Sequence, residues 1–186
     1  MGLCRSSPVN LPARAVAGRV WAAFFGRPLP LPLMYSKTEA TQLRQAFWTT
    51  LGQYMQPVPS ADGGPVNWMN YKTGLKHVYF RLHADNRHAT IGIEITHPDE
   101  GLRELFFEQF RELRPMLEEA TGETWTWEPA AINESGQPLA RIYQELRPAN
   151  LFSRDDWARL IPFFKPRLVA LDEFWSTGQY AFDELR

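Results

Sequence analysis

Residues 77–96 read HVYFRLHADNRHATIGIEIT, and their alternation sets the architecture of the chain. Val78, Phe80 and Leu82 fall on one side while His77, Tyr79, Arg81 and His83 fall on the other, because successive side chains of a strand emerge on opposite faces. Asp85-Asn86-Arg87-His88 is turn chemistry. The second half alternates again, with Ile91, Ile93 and Ile95 opposed to Thr90, Gly92, Glu94 and Thr96. Two strands with one apolar side form an antiparallel pair whose greasy face must be covered by something else.

The cover is legible on both sides of this pair. Ser36-x-x-Glu39 is a capping box, and Ala40, Leu43, Phe47, Thr50, Leu51 and Tyr54 recur at helical spacing behind it, predicting a helix over 36–56. Pro57, Pro59, Gly63 and Gly64 end that helix. Residues 66–71 read as a further strand, which with the turn Lys72-Thr73-Gly74 makes the pair a three-stranded meander. Thr96-His97-Pro98-Asp99 opens a second helix with a second capping box, its buried stripe being Leu102, Leu105, Phe106, Gln109, Phe110, Leu113 and Leu117, and its end Gly122. Residues 123–128 and 139–146 read as a strand pair, and Ser153-x-x-Asp156 opens a last helix carrying Trp157, Leu160, Ile161, Phe164, Leu168, Leu171 and Trp175 in phase. Pro162 and Pro166 should kink or split that helix near 163–166. The expected fold is α+β: an antiparallel sheet, built of a three-stranded meander plus a strand pair, with helices on its apolar side, in the order α-β-β-β-α-β-β-α.

Composition divides the chain at Met34. Residues 1–33 hold Arg5, Arg14, Arg19 and Arg27, no acid and five of the prolines, a net of +4. The remaining residues hold 16 Lys+Arg (20 − 4) against 21 Asp+Glu, a net of −5. We expect residues 1–33 to be a disordered leader or the product of a start codon placed too early, and residues 34–186 to be a single α+β domain. The apolar run at 16–25 is interrupted by Gly18 and Arg19 and falls short of the ~20 residues a membrane span needs. Cys4 is the only cysteine, so the domain has no disulfide, thiol nucleophile or Cys-ligated metal; a reducing cytoplasm fits. Its acidic balance opposes non-specific attraction to DNA phosphates.

Motifs exclude further chemistry. Gly63-Gly64 lacks the lysine and helix start of a phosphate loop, and no Gly-x-Ser-x-Gly elbow is present. All four histidines lie within 77–97. His77 and His83 would stand roughly 20 Å apart along one strand and cannot share a metal. His83 and His88 flank the turn beside Asp85, and no metal site is assigned there. Asp85 and Glu94, inside an α-β-β-β-α order, suggest a PD-(D/E)XK nuclease core as one alternative. Such enzymes use two acids for Mg²⁺ and a lysine two residues beyond the second, but here that position is Thr96. The plainer expectation is that Glu94 pairs with Arg81 across the sheet. Phe107, Phe163, Phe174 and Trp48 fall off the main stripes and could pack the core or form an interface patch.

Ser36-Lys37-x-Glu39-Ala40, Phe47-Trp48, Val66-Asn67-Trp68, Tyr79-Phe80-Arg81, Glu94-Ile95-Thr96-His97-Pro98, Leu105-Phe106-Phe107, Trp125-x-Trp127-Glu128, Arg141-Ile142-Tyr143 and Asp156-Trp157 together carry a resemblance. From 35 to 186 the chain resembles the bacterial domain of unknown function 4268, in particular stand-alone members from Bacteroidetes, which begin near this Met34. Elsewhere that domain accompanies nuclease-type domains, which implies a link to DNA metabolism or phage defence. The resemblance implies no catalytic residue and no cofactor.

The reading is therefore a soluble, cytoplasmic binding module, non-catalytic, contacting a partner protein or a nucleic acid and no membrane. Tyr79, Arg81, His83 and Glu94, on the polar face of the meander, are its expected contact residues. The alternatives are a metal-dependent nuclease using Asp85 and Glu94, and a homo-oligomer built on the off-stripe aromatics.

Overall fold

The alternation in 77–96 gives the two strands expected of it, β1 (Val78–Ala84) and β2 (Ala89–Ile95), paired antiparallel with Tyr79 opposite Glu94 and His83 opposite Thr90. The structure, a computed structural model, describes residues 36–133 and 135–185. The leader, residues 1–33, lies outside the described residues. The other elements are α1 (Lys37–Met55), α2 (Glu100–Glu112), α3 (Arg114–Thr121), β3 (Thr126–Ile132), β4 (Pro138–Leu146) and α4 (Trp157–Gly178), followed by a 3₁₀ helix, Gln179–Leu185. The four strands form one antiparallel sheet in the order β1-β2-β4-β3, so the class is α+β and the elements follow the order read from the sequence.

Residues 66–71 correct one strand of that reading. Asn67 accepts the Asn70 N–H with its side chain (3.1 Å), closing a 3₁₀ turn over Trp68–Asn70. Trp68 is buried and donates Nε1–H to the Val58 carbonyl at 2.9 Å. The local side-chain bond competes with a ladder and wins, so the meander has two strands.

Helix ends follow sequence chemistry only where no neighbour intervenes. Ser36 and Glu39 form the expected capping box on α1. At α2 the cap is Asp99, which accepts from Leu102 N at 2.8 Å; Thr96 stays with the sheet, donating its N–H to the His77 carbonyl at 2.8 Å. Pro115 lacks the N–H that would continue α2, so the helix breaks at Leu113, and Gly122 ends α3 with φ +66°. Ser153 makes no side-chain cap; Asp156 instead accepts from Asn150 N (2.8 Å). Helix α4 runs on through Pro162 and Pro166 without splitting. Both prolines and Ala158 lie on its exposed side, where water serves the carbonyls that lose their donors.

Helices α2 and α4 cover the sheet face bearing Val78, Phe80, Ile91, Ile93, Ile95, Ala140 and Ile142, α2 against β2 and β4 and α4 against β2, while α1 and α3 pack on α4. The core is aromatic: Phe110, Trp175 and Phe182 pack with ring centroids 4.6 to 5.9 Å apart. Phe107, Phe163 and Phe174 are buried in it, and Trp48 packs edge-on against Phe47. Phase errors of one residue explain the other differences: Met55, not Tyr54, completes the α1 stripe, and Arg103 and Phe107 replace Leu102 and Leu105 in α2.

Candidate binding surface on the open sheet face

Among the described residues no element covers the opposite face of the sheet, and strand register assembles its residues in rows. One row runs Tyr79, Glu94, Arg141, Glu128; the next runs Arg81, Gly92, Tyr143, Thr126; a third runs His83, Thr90, Glu145. The four residues expected from the sequence therefore share one surface. Their partners on β3 and β4 were missed, although Arg141, Tyr143 and Glu145 alternate with Ala140, Ile142 and Gln144 and carried the same signal.

The arginines in these rows, and Arg147 just beyond β4, each have a carboxylate. Arg81 lies 3.8 Å from Glu94, as the sequence suggested, Arg141 is 2.6 Å from Glu128, and Arg147 is 2.7 Å from Glu145. Two guanidiniums also stack on tyrosines of the same face, Arg81 over Tyr79 at 4.5 Å and Arg141 over Tyr143 at 4.4 Å. Glu94 sits between Arg81 and Arg141. Burial raises its pKa above the usual carboxylate range, and the charges of Arg81, Arg141 and His83 only partly offset this.

The surface is concave. A groove of about 650 Å³ crosses it, floored by Thr90, Glu94 and Arg141, with Arg81 and His83 along one side and Ile132, Asn133 and Ser135 of the β3–β4 hairpin on the other. The hairpin reaches that position through a bulge between Glu128 and Ala131, at Pro129, which cannot donate to the ladder. Ile132 is 75% exposed at the rim. Nothing in the composition of 129–135 signals a groove wall, because the bulge re-aims the strand only once β4 is beside it.

At the far end lies the turn 85–88. Asp85 Oδ1 accepts from the N–H groups of Arg87 (2.6 Å) and His88 (2.8 Å), and Oδ2 faces His88 Nδ1 at 3.2 Å and His83 Nε2 at 3.8 Å. Desolvation is the largest single influence on Asp85 and raises its pKa. Those backbone donors and the two imidazoles together outweigh it, so the carboxyl titrates below its ordinary value. Asp85 and Glu94 line the same groove, whereas Thr96 places its hydroxyl 3.4 Å from the His77 carbonyl and supplies no cation. His77 lies outside β1 at φ +65° and packs against His97, with ring centroids 4.7 Å apart.

No helix among the described residues is long and apolar enough to cross a membrane. No curated protein and no solved structure matches the chain. A family model, Domain of unknown function (DUF4268), matches residues 43–179, a span that takes in β1 to β4, α2 to α4 and most of α1. The chain belongs to that family.

Proposed function

We propose that the chain is a binding domain that engages a partner protein through the open face of its sheet, with Arg81 at the centre of the contact and Tyr79, His83 and Glu94 around it. The groove beside Arg81 carries this reading: it is concave, lined by arginine and carboxylate, and edged by an exposed Ile132. Tyrosine and arginine around a partly desolvated centre are the chemistry of protein-binding hot spots. A single-stranded nucleic acid would need free aromatic faces and unmatched cations. Here Tyr79 and Tyr143 already carry a guanidinium, and Arg81, Arg141 and Arg147 each face a glutamate. A bacterial, cytoplasmic setting and a link to DNA metabolism or phage defence belong to the same proposal, supported by the family resemblance and by the lack of cysteine beyond Cys4.

Arg81→Glu sets a carboxylate against Glu94. It should weaken capture of the partner from the source cells by about thirtyfold, the scale of a hot-spot residue. The fold should persist, since Arg81 itself is exposed and such a pair contributes about 0–1 kcal/mol, with a small loss of thermal stability from the like charge set against the half-buried Glu94. Undiminished capture by the variant would sink the surface assignment. Tight DNA binding that weakens steeply with salt, read by fluorescence anisotropy, would replace the protein partner with a nucleic acid.

A further inference from the structure

The turn at the end of the groove brings together two imidazoles and a carboxylate. One donor atom from each of His83, Asp85 and His88 lies within 4.8 Å of the other two. We infer that these three residues form a binding site for a divalent transition-metal ion, with the remaining coordination positions open to the groove.

Three features carry the inference. The first is geometry. Nitrogen and oxygen ligands about 2.0–2.1 Å from a tetrahedral Zn²⁺ stand about 3.3 Å from one another. Asp85 Oδ2 lies 3.2 Å from His88 Nδ1 and 3.8 Å from His83 Nε2, and the third edge, between the imidazoles, is within 4.8 Å, so the two rings must close toward each other to complete the set. The second is preorganisation. Asp85 Oδ1 is held by two backbone N–H groups, which fixes the carboxylate and turns Oδ2 toward both rings. The turn is itself tied down, Leu151 N donating to the Asp85 carbonyl at 2.8 Å and Ala149 N to the Arg87 carbonyl at 3.0 Å.

The third is His88. Its Nδ1 is buried and makes no hydrogen bond, because the 3.2 Å contact with Asp85 is not aligned as one. Its other nitrogen faces Glu145 Oε1 at 3.9 Å, and Glu145 is steadied by Arg147. At 3.9 Å this is a charge contact and not a hydrogen bond; closing it on metal binding would give His88 the carboxylate that usually backs a metal-bound histidine and holds the tautomer with Nδ1 free to coordinate. Two histidines and one carboxylate suit Zn²⁺ or a six-coordinate ion such as Fe²⁺, leaving positions for water or for a partner's side chain. The inference does not rest on the protein-partner reading, since it concerns uptake of the ion alone.

The test is calorimetric titration of the full chain, carrying Cys4→Ser to remove the thiol, with Zn²⁺ at neutral pH, and Co²⁺ absorption as a second readout. One equivalent should bind, and Co²⁺ should give the visible spectrum of a low-coordinate nitrogen and oxygen site. His83→Ala and His88→Ala should each weaken binding at least a hundredfold. Asp85→Asn keeps the turn's acceptor but loses the charge, and should also weaken it. Glu145→Gln should cost about tenfold or more through His88. His77→Ala and His97→Ala should bind as the parent does. Absence of stoichiometric uptake would overturn the site, as would equal losses in all four histidine variants.

Discussion

Asp172 offers the sharpest test of how this fold is held together. The residue is 4% exposed, on α4, yet its two carboxylate oxygens accept from Tyr71 Oη and from Ala61 N, each at 2.6 Å. The bonds fasten the long connection between α1 and β1 to a helix more than a hundred residues away in sequence. Asp172→Ala removes both. A hydrogen bond to a charged group contributes about 1.5–3 kcal/mol, so two intact bonds would sum to about 3–6 kcal/mol. Ala61 is exposed and water can replace its acceptor, and removing a buried carboxylate recovers part of its desolvation cost. The expected loss is therefore near the lower end, about 3 kcal/mol. For a domain of this size that lowers Tm by roughly 6–12 °C. Urea unfolding followed by tryptophan fluorescence measures it directly, and a double-mutant cycle with Tyr71→Phe should return a coupling of about 1–2 kcal/mol. A loss below about 1 kcal/mol, or strict additivity with Tyr71→Phe, would refute the claim that this carboxylate ties the connection to α4.

Two further expectations follow, one in the sheet and one at the same Tyr71–Asp172 pair. In the central strand β2, a methyl group at Gly92 would meet the Ile142 carbonyl and lie 2.7 Å from Tyr143 Cβ and 2.9 Å from Tyr143 Cα, backbone that cannot move without opening the ladder. Gly92→Ala should cost about 3 kcal/mol, whereas Gly101→Ala, inside α2 with its nearest neighbour at 3.4 Å, should gain about 0.5 kcal/mol. Equal effects by chemical denaturation would discredit the packing argument. Tyr71 yields a pH dependence: burial, then the hydrogen bond and charge of Asp172, raise its phenol well above the usual range. The unfolded phenol ionises near pH ~10 while the folded one stays protonated. This contribution is complete below about pH 10 and declines as pH rises beyond it. The slope is at most about 1.4 kcal/mol per pH unit, and less because the ring is partly exposed. Tyr71→Phe should flatten the alkaline limb of the stability curve, and an unchanged limb would contradict the assignment.

Residues 77–96 by themselves determined the strand pair and which side chains share the open face, because alternation and a polar turn are local properties. Ser36 and Glu39 fixed the start of α1 for the same reason, since both partners of that cap lie within one turn. Elsewhere alternation and cap motifs were overruled, in two different ways. Asn67 makes a local bond that closes a 3₁₀ turn over Trp68–Asn70, with Trp68 bonded to the Val58 carbonyl, whereas Thr96 gives its N–H to the distant His77 carbonyl instead of capping α2. The same division runs through the candidate surface. Tyr79, Arg81, His83 and Glu94 were legible, but Ile132, Asn133 and Ser135 reach the groove only because a bulge between Glu128 and Ala131 shifts the hairpin's register on β4. That His83 joins His88 and Asp85, with Glu145 behind them, needed β4 to pair with β2 and the 149–151 segment to anchor the turn. Spacing along the chain decides which face a side chain takes; distances between faces, and hence the chemistry a surface can perform, come only from the packing of segments remote in sequence.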